Sequence, residues 1–402
     1  MEKFTQKEEM ERSARIFFTL VMLLIVVGLV MVYSASAVKS GLADDGRTTA
    51  PLVKQLVKIS VALAGMLLMM KIDYRLLARH HMKILAGIVI FLIFVMLPVP
   101  GVCGPVNGSR RWLQIGSFMV QPSEFAKLGL VIVLASMIIR SRERIRDFRG
   151  GFMPCIAATG LVCVLILVEP DFGTCALTGA VAVLLLVIGG ARISHFLLLV
   201  SVCAPLLFFF AYSNLTHVRE RIAAWLQPQA TGQVAEGLTG LGSGVLAGRG
   251  LGAGVAKLYY VPLCESDFIY SIIGEELGLA GATGVLLAFV FLVYHGMKVL
   301  LGVKNRFGFI LSLGVLLLIS TQALANIAVV LGMTPAKGIA LPFISSGGSS
   351  LMALMLGVGI FMRVAKYPDL PAPRFKEEEL PSFVRNSLSR VGQVMRRGGG
   401  DD

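Results

Sequence analysis

Ten apolar stretches, most of them long enough to cross a bilayer, dominate this chain and settle its solvent before any motif is considered. A run of about 18 apolar residues crosses roughly 30 Å of hydrocarbon as a helix, which satisfies its own backbone hydrogen bonds. The runs are Ile16 to Tyr33, Leu52 to Met70, Ile84 to Pro98, Phe125 to Ile139, Phe152 to Val168, Phe172 to Gly190, Phe196 to Tyr212, Ile269 to Tyr294, Phe307 to Leu331 and Ile339 to Met362. They predict an all-α polytopic membrane protein of about ten transmembrane helices. With 56% hydrophobic and only 15% charged residues, a soluble domain of 402 residues is excluded.

The charges then orient the bundle. A net charge of +13 would suit nucleic acid, but the basic residues sit where membrane insertion needs them. Placing the N-terminus in the cytoplasm puts Lys71, Arg75, Arg79 and Lys83 in one inner loop and Arg140, Arg142, Arg144, Arg146 and Arg149 in another. Lys298, Lys304, Arg306 and the basic tail also fall inside, as the positive-inside rule requires. No nucleic-acid partner is expected, and lipid headgroups are a secondary contact. The predicted organisation is a cytoplasmic N-terminus (1–15), a transmembrane unit (16–365) and a disordered, charged cytoplasmic tail (366–402). A large outer loop, 213–268, joins helices 7 and 8. Ala35-Ser36-Ala37 imitates a signal-peptidase site, but the run before it exceeds the usual 7 to 15 residues, so a retained span is expected. The six cysteines show no metal-ligand spacing. Only Cys103 and Cys264 would both face outside, which leaves one disulfide open.

Three outer segments are too long or too polar to be simple turns. The first carries Asn107-Gly-Ser-Arg110-Arg111-Trp-Leu113 and Gln121-Pro-Ser-Glu124-Phe-Ala-Lys127. The arginines and Trp112 read either as an interfacial anchor or as a site. Glu124 and Lys127, one turn into an apolar span, read as an ion pair facing a cavity or partner. The short Glu169-Pro-Asp171 connector reads either as a solvated turn or as part of an outer vestibule. The second segment holds Arg219, Arg221, Trp225 and a glycine-rich run, Gly240 to Gly254, containing Arg249 but no nucleotide-loop lysine pattern. It ends at Asp267, where polar loop meets apolar helix. There a carboxylate is either a helix cap or a base whose pKa desolvation raises. Glu275 and Glu276 lie deeper and must be paired or neutral. The third segment, Gly332 to Ser350, has two prolines, Lys337 and Ser345-Ser-Gly-Gly-Ser349-Ser. Irregular backbone at such depth implies a polar cavity.

Together these blocks, with Val30 to Ser36 and Lys71-Ile-Asp-Tyr-Arg75, resemble the signature motifs of the SEDS family (shape, elongation, division and sporulation). The resemblance covers nearly the whole chain, and its details are more similar to the division and sporulation branch than to the elongation branch. It implies a peptidoglycan glycosyltransferase that polymerises lipid II at the outer face of a bacterial cytoplasmic membrane. The implied setting is the division septum, with a class B penicillin-binding protein and other divisome proteins as partners. The family's catalytic aspartate falls on Asp267. It would act as general base on the acceptor's 4-hydroxyl, with inversion at the donor. Arg110, Arg111, Lys127, Arg249, Lys337 and Ser349 are the candidates for diphosphate and sugar. Glu124, Glu169, Asp171, Glu275 and Glu276 are supporting candidates. The resemblance fixes no cofactor, and it leaves open a divalent cation, magnesium or manganese, accompanying the diphosphate. The chain departs from the family pattern at Ser346, commonly Tyr, and at Leu263-Cys-Glu-Ser266. It also lacks the usual Tyr-Gln and Gln-Ser pairs before the glycine run. Two rival readings are a lipid II flippase and a non-catalytic scaffold for the penicillin-binding protein. The outward clustering of Glu124, Lys127, Asp267 and Lys337 favours chemistry over transport.

Overall fold

The computed structural model describes residues 2–43, 49–97, 99, 102–104, 110–116, 118–201, 233–258, 265–335 and 338–371. In chain order the helices are α1 (Glu2–Ala43), α2 (Ala50–Lys71), α3 (Tyr74–Arg79), α4 (His81–Met96), α5 (Pro122–Ser141), α6 (Met153–Val168), α7 (Phe172–Ile188), α8 (Gln233–Ser243), α9 (Ile269–Leu301), α10 (Arg306–Val330) and α11 (Gly348–Lys366). Helical backbone also covers 193–201. Among the described residues, seven helical segments are long and apolar enough to span a membrane, and α4 and α7 are shorter apolar helices. The span expected at Phe196 to Tyr212 lies mostly outside the described residues, as does the tail beyond 371.

Local chemistry explains the helix ends. Asp73 starts α3 by accepting the Arg75 N–H at 2.9 Å, and Asp171 starts α7 by accepting from Thr174 N at 3.0 Å. Asn305 does the same for α10, accepting from Phe307 N at 3.0 Å. Each side chain replaces a partner that the first turn of a helix lacks. At the inner end, the bidentate Arg75–Asp73 pair (2.7 and 2.9 Å) lies on the turn that carries the Lys-Ile-Asp-Tyr-Arg block. Tyr74 of that block is buried and accepts from Asn305 Nδ2 at 3.2 Å, tying the α2–α3 turn to the start of α10.

The core is built around α5, α10 and α11, which are buried along most of their length, whereas α2, α6 and α9 turn many apolar side chains outward. Lipid is as apolar as leucine, so close packing rather than water exclusion must hold such helices together. Small residues allow it: at Gly359 of α11 a Cβ would press on the Met66 carbonyl of α2.

Three differences from the sequence expectation have simple causes. The last helix begins at Gly348 rather than Ile339. Pro342 and the Ser-Gly run disfavour a helix there, so 338–347 is a largely buried irregular segment. The first outer segment contains a small antiparallel hairpin, β1 (Leu113–Ile115) and β2 (Phe118–Val120), in which Leu113 pairs with Val120. It turns at Gly116, whose φ of +61° suits glycine. Cys103 is a buried free thiol that donates to the Phe94 carbonyl at 3.7 Å, and Cys264 lies outside the described residues.

Candidate functional site

Four connections converge at one end of the bundle: residues 110–121, the Glu169–Asp171 turn, the Glu265–Phe268 turn before α9, and segment 338–347. On the orientation expected from the positive-inside pattern, this is the outer end. Their convergence is hydrogen-bonded. Ser345 Oγ donates to the Ser266 carbonyl at 2.6 Å, and Ser346 N donates to the Glu265 carbonyl at 3.0 Å. Asn326 of α10 spans both strands of the junction, donating through Nδ2 to the carbonyls of Asp267 (2.8 Å) and Ile339 (2.7 Å). Gln121 closes the other side through Nε2 to Asp171 Oδ2 at 2.9 Å.

Asp267 therefore sits on a turn fixed through its own backbone. The residue capping α9 is Phe268, and no side chain caps that helix. The carboxylate is thus left for other chemistry. Burial pushes its pKa up to about 6, a hydrogen bond with Ser266 and the charge of Arg111 hold it down, and the charge of Asp171 raises it. A carboxylate so poised is still ionised at neutral pH and is a stronger base than one in water. Arg111 also acts on Glu169, whose pKa burial and the neighbouring Asp171 raise to about 8. Glu169 is 1% exposed, and among the described residues neither of its carboxyl oxygens has a hydrogen-bond partner.

Beneath this end lies a second polar group. Lys127 Nζ pairs with Glu124 Oε1 at 2.9 Å and donates to Gln322 Oε1 at 3.0 Å. Gln322 in turn donates to Ser350 Oγ and to the Ala340 carbonyl, both at 2.9 Å. The expected ion pair is thus present, and it links α5, α10 and the start of α11. Lys127 is buried and committed to these contacts. Ser349 is similarly engaged: its hydroxyl accepts from Gln121 N at 2.9 Å and donates to the Met119 carbonyl at 3.3 Å.

The glycine-rich run has a different partner from any phosphate. At Gly278, with φ of +67° and ψ of −167°, α9 is broken. The backbone groups released there are taken up by the run: Arg249 N and Gly250 N donate to the Glu275 and Glu276 carbonyls, both at 3.0 Å. Leu279 N donates to the Val245 carbonyl at 2.9 Å. A Cβ at Gly248 would collide with the Glu276 carbonyl, which is why glycine is needed at this contact. The two glutamates lock the arrangement. Glu275 accepts from Val255 N at 2.8 Å and Ala256 N at 3.1 Å, with Arg249 Nη1 3.6 Å away. Glu276 pairs with the buried Lys257 Nζ at 2.6 Å and accepts from Ser34 Oγ of α1 at 2.7 Å.

Arg110 is exposed, just before β1. Lys337, Arg219, Arg221 and Trp225 lie outside the described residues. The structure thus brings Asp267, Arg111, Glu169 and Asp171 together, and places Glu275, Glu276 and Arg249 in a separate network that holds the outer loop. Among the described residues, no group of three His, Cys, Asp or Glu side chains could hold a metal ion. Asp171 already serves Gln121 and Thr174, so these carboxylates do not form a cation cage. Two lysines escaped the sequence reading. Lys58 of α2 donates to the Ser346 carbonyl at 2.9 Å and feels the charge of Glu265. A lysine inside an apolar run was itself the signal. Lys257 gave no comparable sign, because its partners lie in α1 and α9.

The fold, a polytopic helical bundle, has counterparts among solved structures. It matches, with a TM-score of 0.72, a chain from the structure described as "Structural coordination of polymerization and crosslinking by a peptidoglycan synthase complex". The match covers 88% of this chain and 98% of that one, at 24% sequence identity. The family model described as "Cell cycle protein", that of FtsW, RodA and SpoVE, matches residues 14–369, and the chain belongs to this family. It is 35% identical over 364 residues to the probable peptidoglycan glycosyltransferase FtsW of Geobacter metallireducens, covering 89% of this chain and 96% of that one. To the stage V sporulation protein E of Bacillus subtilis it is 36% identical over 352 residues, 86% of this chain and 95% of the other.

Proposed function

We propose that this protein is a peptidoglycan glycosyltransferase that polymerises lipid II at the outer face of the cytoplasmic membrane, with Asp267 as general base. The observation that carries the reading is the state of Asp267. It is a partly buried carboxylate outside the helix cap, with Arg111 close enough to influence its ionisation, at the end of the bundle where a lipid-anchored substrate would present its headgroup. The acceptor's 4-hydroxyl oxygen attacks the anomeric carbon of the donor. Its proton passes to Asp267, and the bond from that carbon to the diphosphate oxygen breaks with the electron pair leaving on the diphosphate. One displacement without a covalent intermediate inverts the centre. The departing anion needs positive charge rather than a proton, which Arg110 and Arg111 supply from the segment before β1; Lys337, a candidate from the sequence, lies outside the described residues. Lys127 and Arg249 are secondary, since each already faces a carboxylate.

The family relatives named for division and sporulation support a septal role, with a class B penicillin-binding protein as partner. The test uses the full-length protein with that partner, lipid II, and moenomycin to silence classical transglycosylases. Glycan strands should form, and Asp267→Asn should lower kcat at least about 100-fold while inserting and folding normally. Retained polymerisation by the variant removes Asp267 from the chemistry. Lipid II translocation in liposomes without polymer supports the flippase instead.

A further inference from the structure

We propose that Glu169 serves the glycosyl transfer as a neutral acid, its carboxyl group kept protonated beside Asp171 and Arg111 so that the incoming diphosphate meets no further negative charge there. The proposal rests on the glycosyltransferase reading and adds a residue whose required protonation state is opposite to that of the base.

The geometry makes the assignment. Glu169 ends α6, is 1% exposed, and among the described residues both its oxygens are buried without a hydrogen-bond partner. A bare carboxylate in such a place is far costlier than a neutral acid. Its neighbour on the same turn has the contrary environment: Asp171 accepts from Gln121 Nε2 and from Thr174 N. Two carboxyl groups two residues apart thus have opposite surroundings, and those of Glu169, buried without a donor, favour the neutral acid. The pKa of about 8 for Glu169, against about 6 for Asp267, follows the same order. The charged groups that act on Glu169 are Asp171 on its own turn and Arg111 from the outer segment. Ionised, Glu169 would add a charge of the same sign as the substrate and draw on the field of Arg111. It yields no proton during the reaction, since the proton of the 4-hydroxyl goes to Asp267.

The test is the pH profile of kcat/KM, which reports the free enzyme, for the full-length protein with its partner, lipid II and moenomycin. Wild-type activity should rise through about pH 6 and fall from about pH 8, approaching about tenfold per unit. Glu169→Gln fixes the neutral state, so its activity at pH 9 relative to pH 7 should exceed the wild-type ratio at least about fivefold. An unchanged ratio overturns the proposal, as does complete inactivity of a folded Glu169→Gln protein. Should that variant fail to insert, infrared titration of Asp267→Asn decides: a protonated carboxyl stretch must persist at pH 7 and vanish near pH 8, and its absence refutes the neutral acid. A wild-type protein that makes no glycan at any pH sinks the glycosyltransferase reading itself, which separates that failure from one confined to the variant.

Discussion

Replacing Lys257 by methionine would test whether the outer loop is held by one buried ion pair. Methionine keeps the length and much of the packing of the lysine stem but removes the charge and three donated contacts: to Glu276 Oε1 at 2.6 Å, Gly252 O at 2.7 Å and Ser34 Oγ at 3.1 Å. Both side chains are almost fully buried, 2% and 0% exposed, so solvent cannot take over. Removing one partner of such a pair costs about 3–5 kcal/mol, because a buried charge is left uncompensated. Ser34 Oγ and Gly252 N still donate to Glu276, which places the expected loss near the lower end, about 3 kcal/mol. Removing the charge as well, in Lys257→Met with Glu276→Gln, should recover roughly half of that loss. The assay is reversible unfolding in mixed micelles across an SDS series, with limited proteolysis of the 244–258 loop as a local readout. A loss below about 1 kcal/mol for the single variant, or a double variant less stable than the single one, refutes the argument.

Other outcomes follow from the same geometry. Arg111 holds the pKa of Asp267 down, so Arg111→Gln should move the acidic limb of kcat/KM to higher pH, in addition to weakening substrate binding. A limb that stays in place would remove Arg111 from the neighbourhood of the base. Glu169 binds its proton more tightly folded than unfolded, about 8 against 4.5. The stability this supplies is complete below about pH 4.5 and lost as pH rises towards 8, amounting to a few kcal/mol. The Tm of Glu169→Gln relative to wild type should therefore be higher at pH 8 than at pH 5, and an equal difference at both contradicts the assignment. Gly278→Ala should cost about 2–4 kcal/mol, since its φ of +67° disfavours a side chain and a Cβ would strike Gly248 N and the Leu246 carbonyl. Proteolysis of the loop reads this out, and wild-type resistance would argue against the packed break.

Much of the bundle was legible because bilayer crossing imposes a length and composition that no other requirement imitates. The same logic flagged Glu124, Lys127, Glu275 and Glu276 as charges in need of partners. What it could not show was which partners. Glu276 finds Lys257 from the loop and Ser34 from α1, 242 residues away. Such pairings depend on how helices pack, and a linear pattern carries no such distances. The glycine run lacked a nucleotide-loop lysine pattern, but its sequence did not say what its backbone approaches; only the fold shows that it is the backbone of α9. Asp267 was visible as the boundary between polar loop and apolar helix. Its separation from the cap was not, since one residue's shift in where a helix begins decides between the two roles.

The break at Gly278 has a further effect on how the protein sits in lipid. The part of α9 outside the break, which follows Asp267, is bound to the glycine-rich run, while the longer part inside it packs along the membrane against α1 and α10. Bilayers vary in thickness, and spans respond by tilting. A rigid helix of 33 residues would carry that tilt straight to the aspartate. A break at the glycine would let the inner part lean while the outer part stays with its loop, so that the turn bearing Asp267 keeps its register with the other outer connections in thick and thin membranes alike.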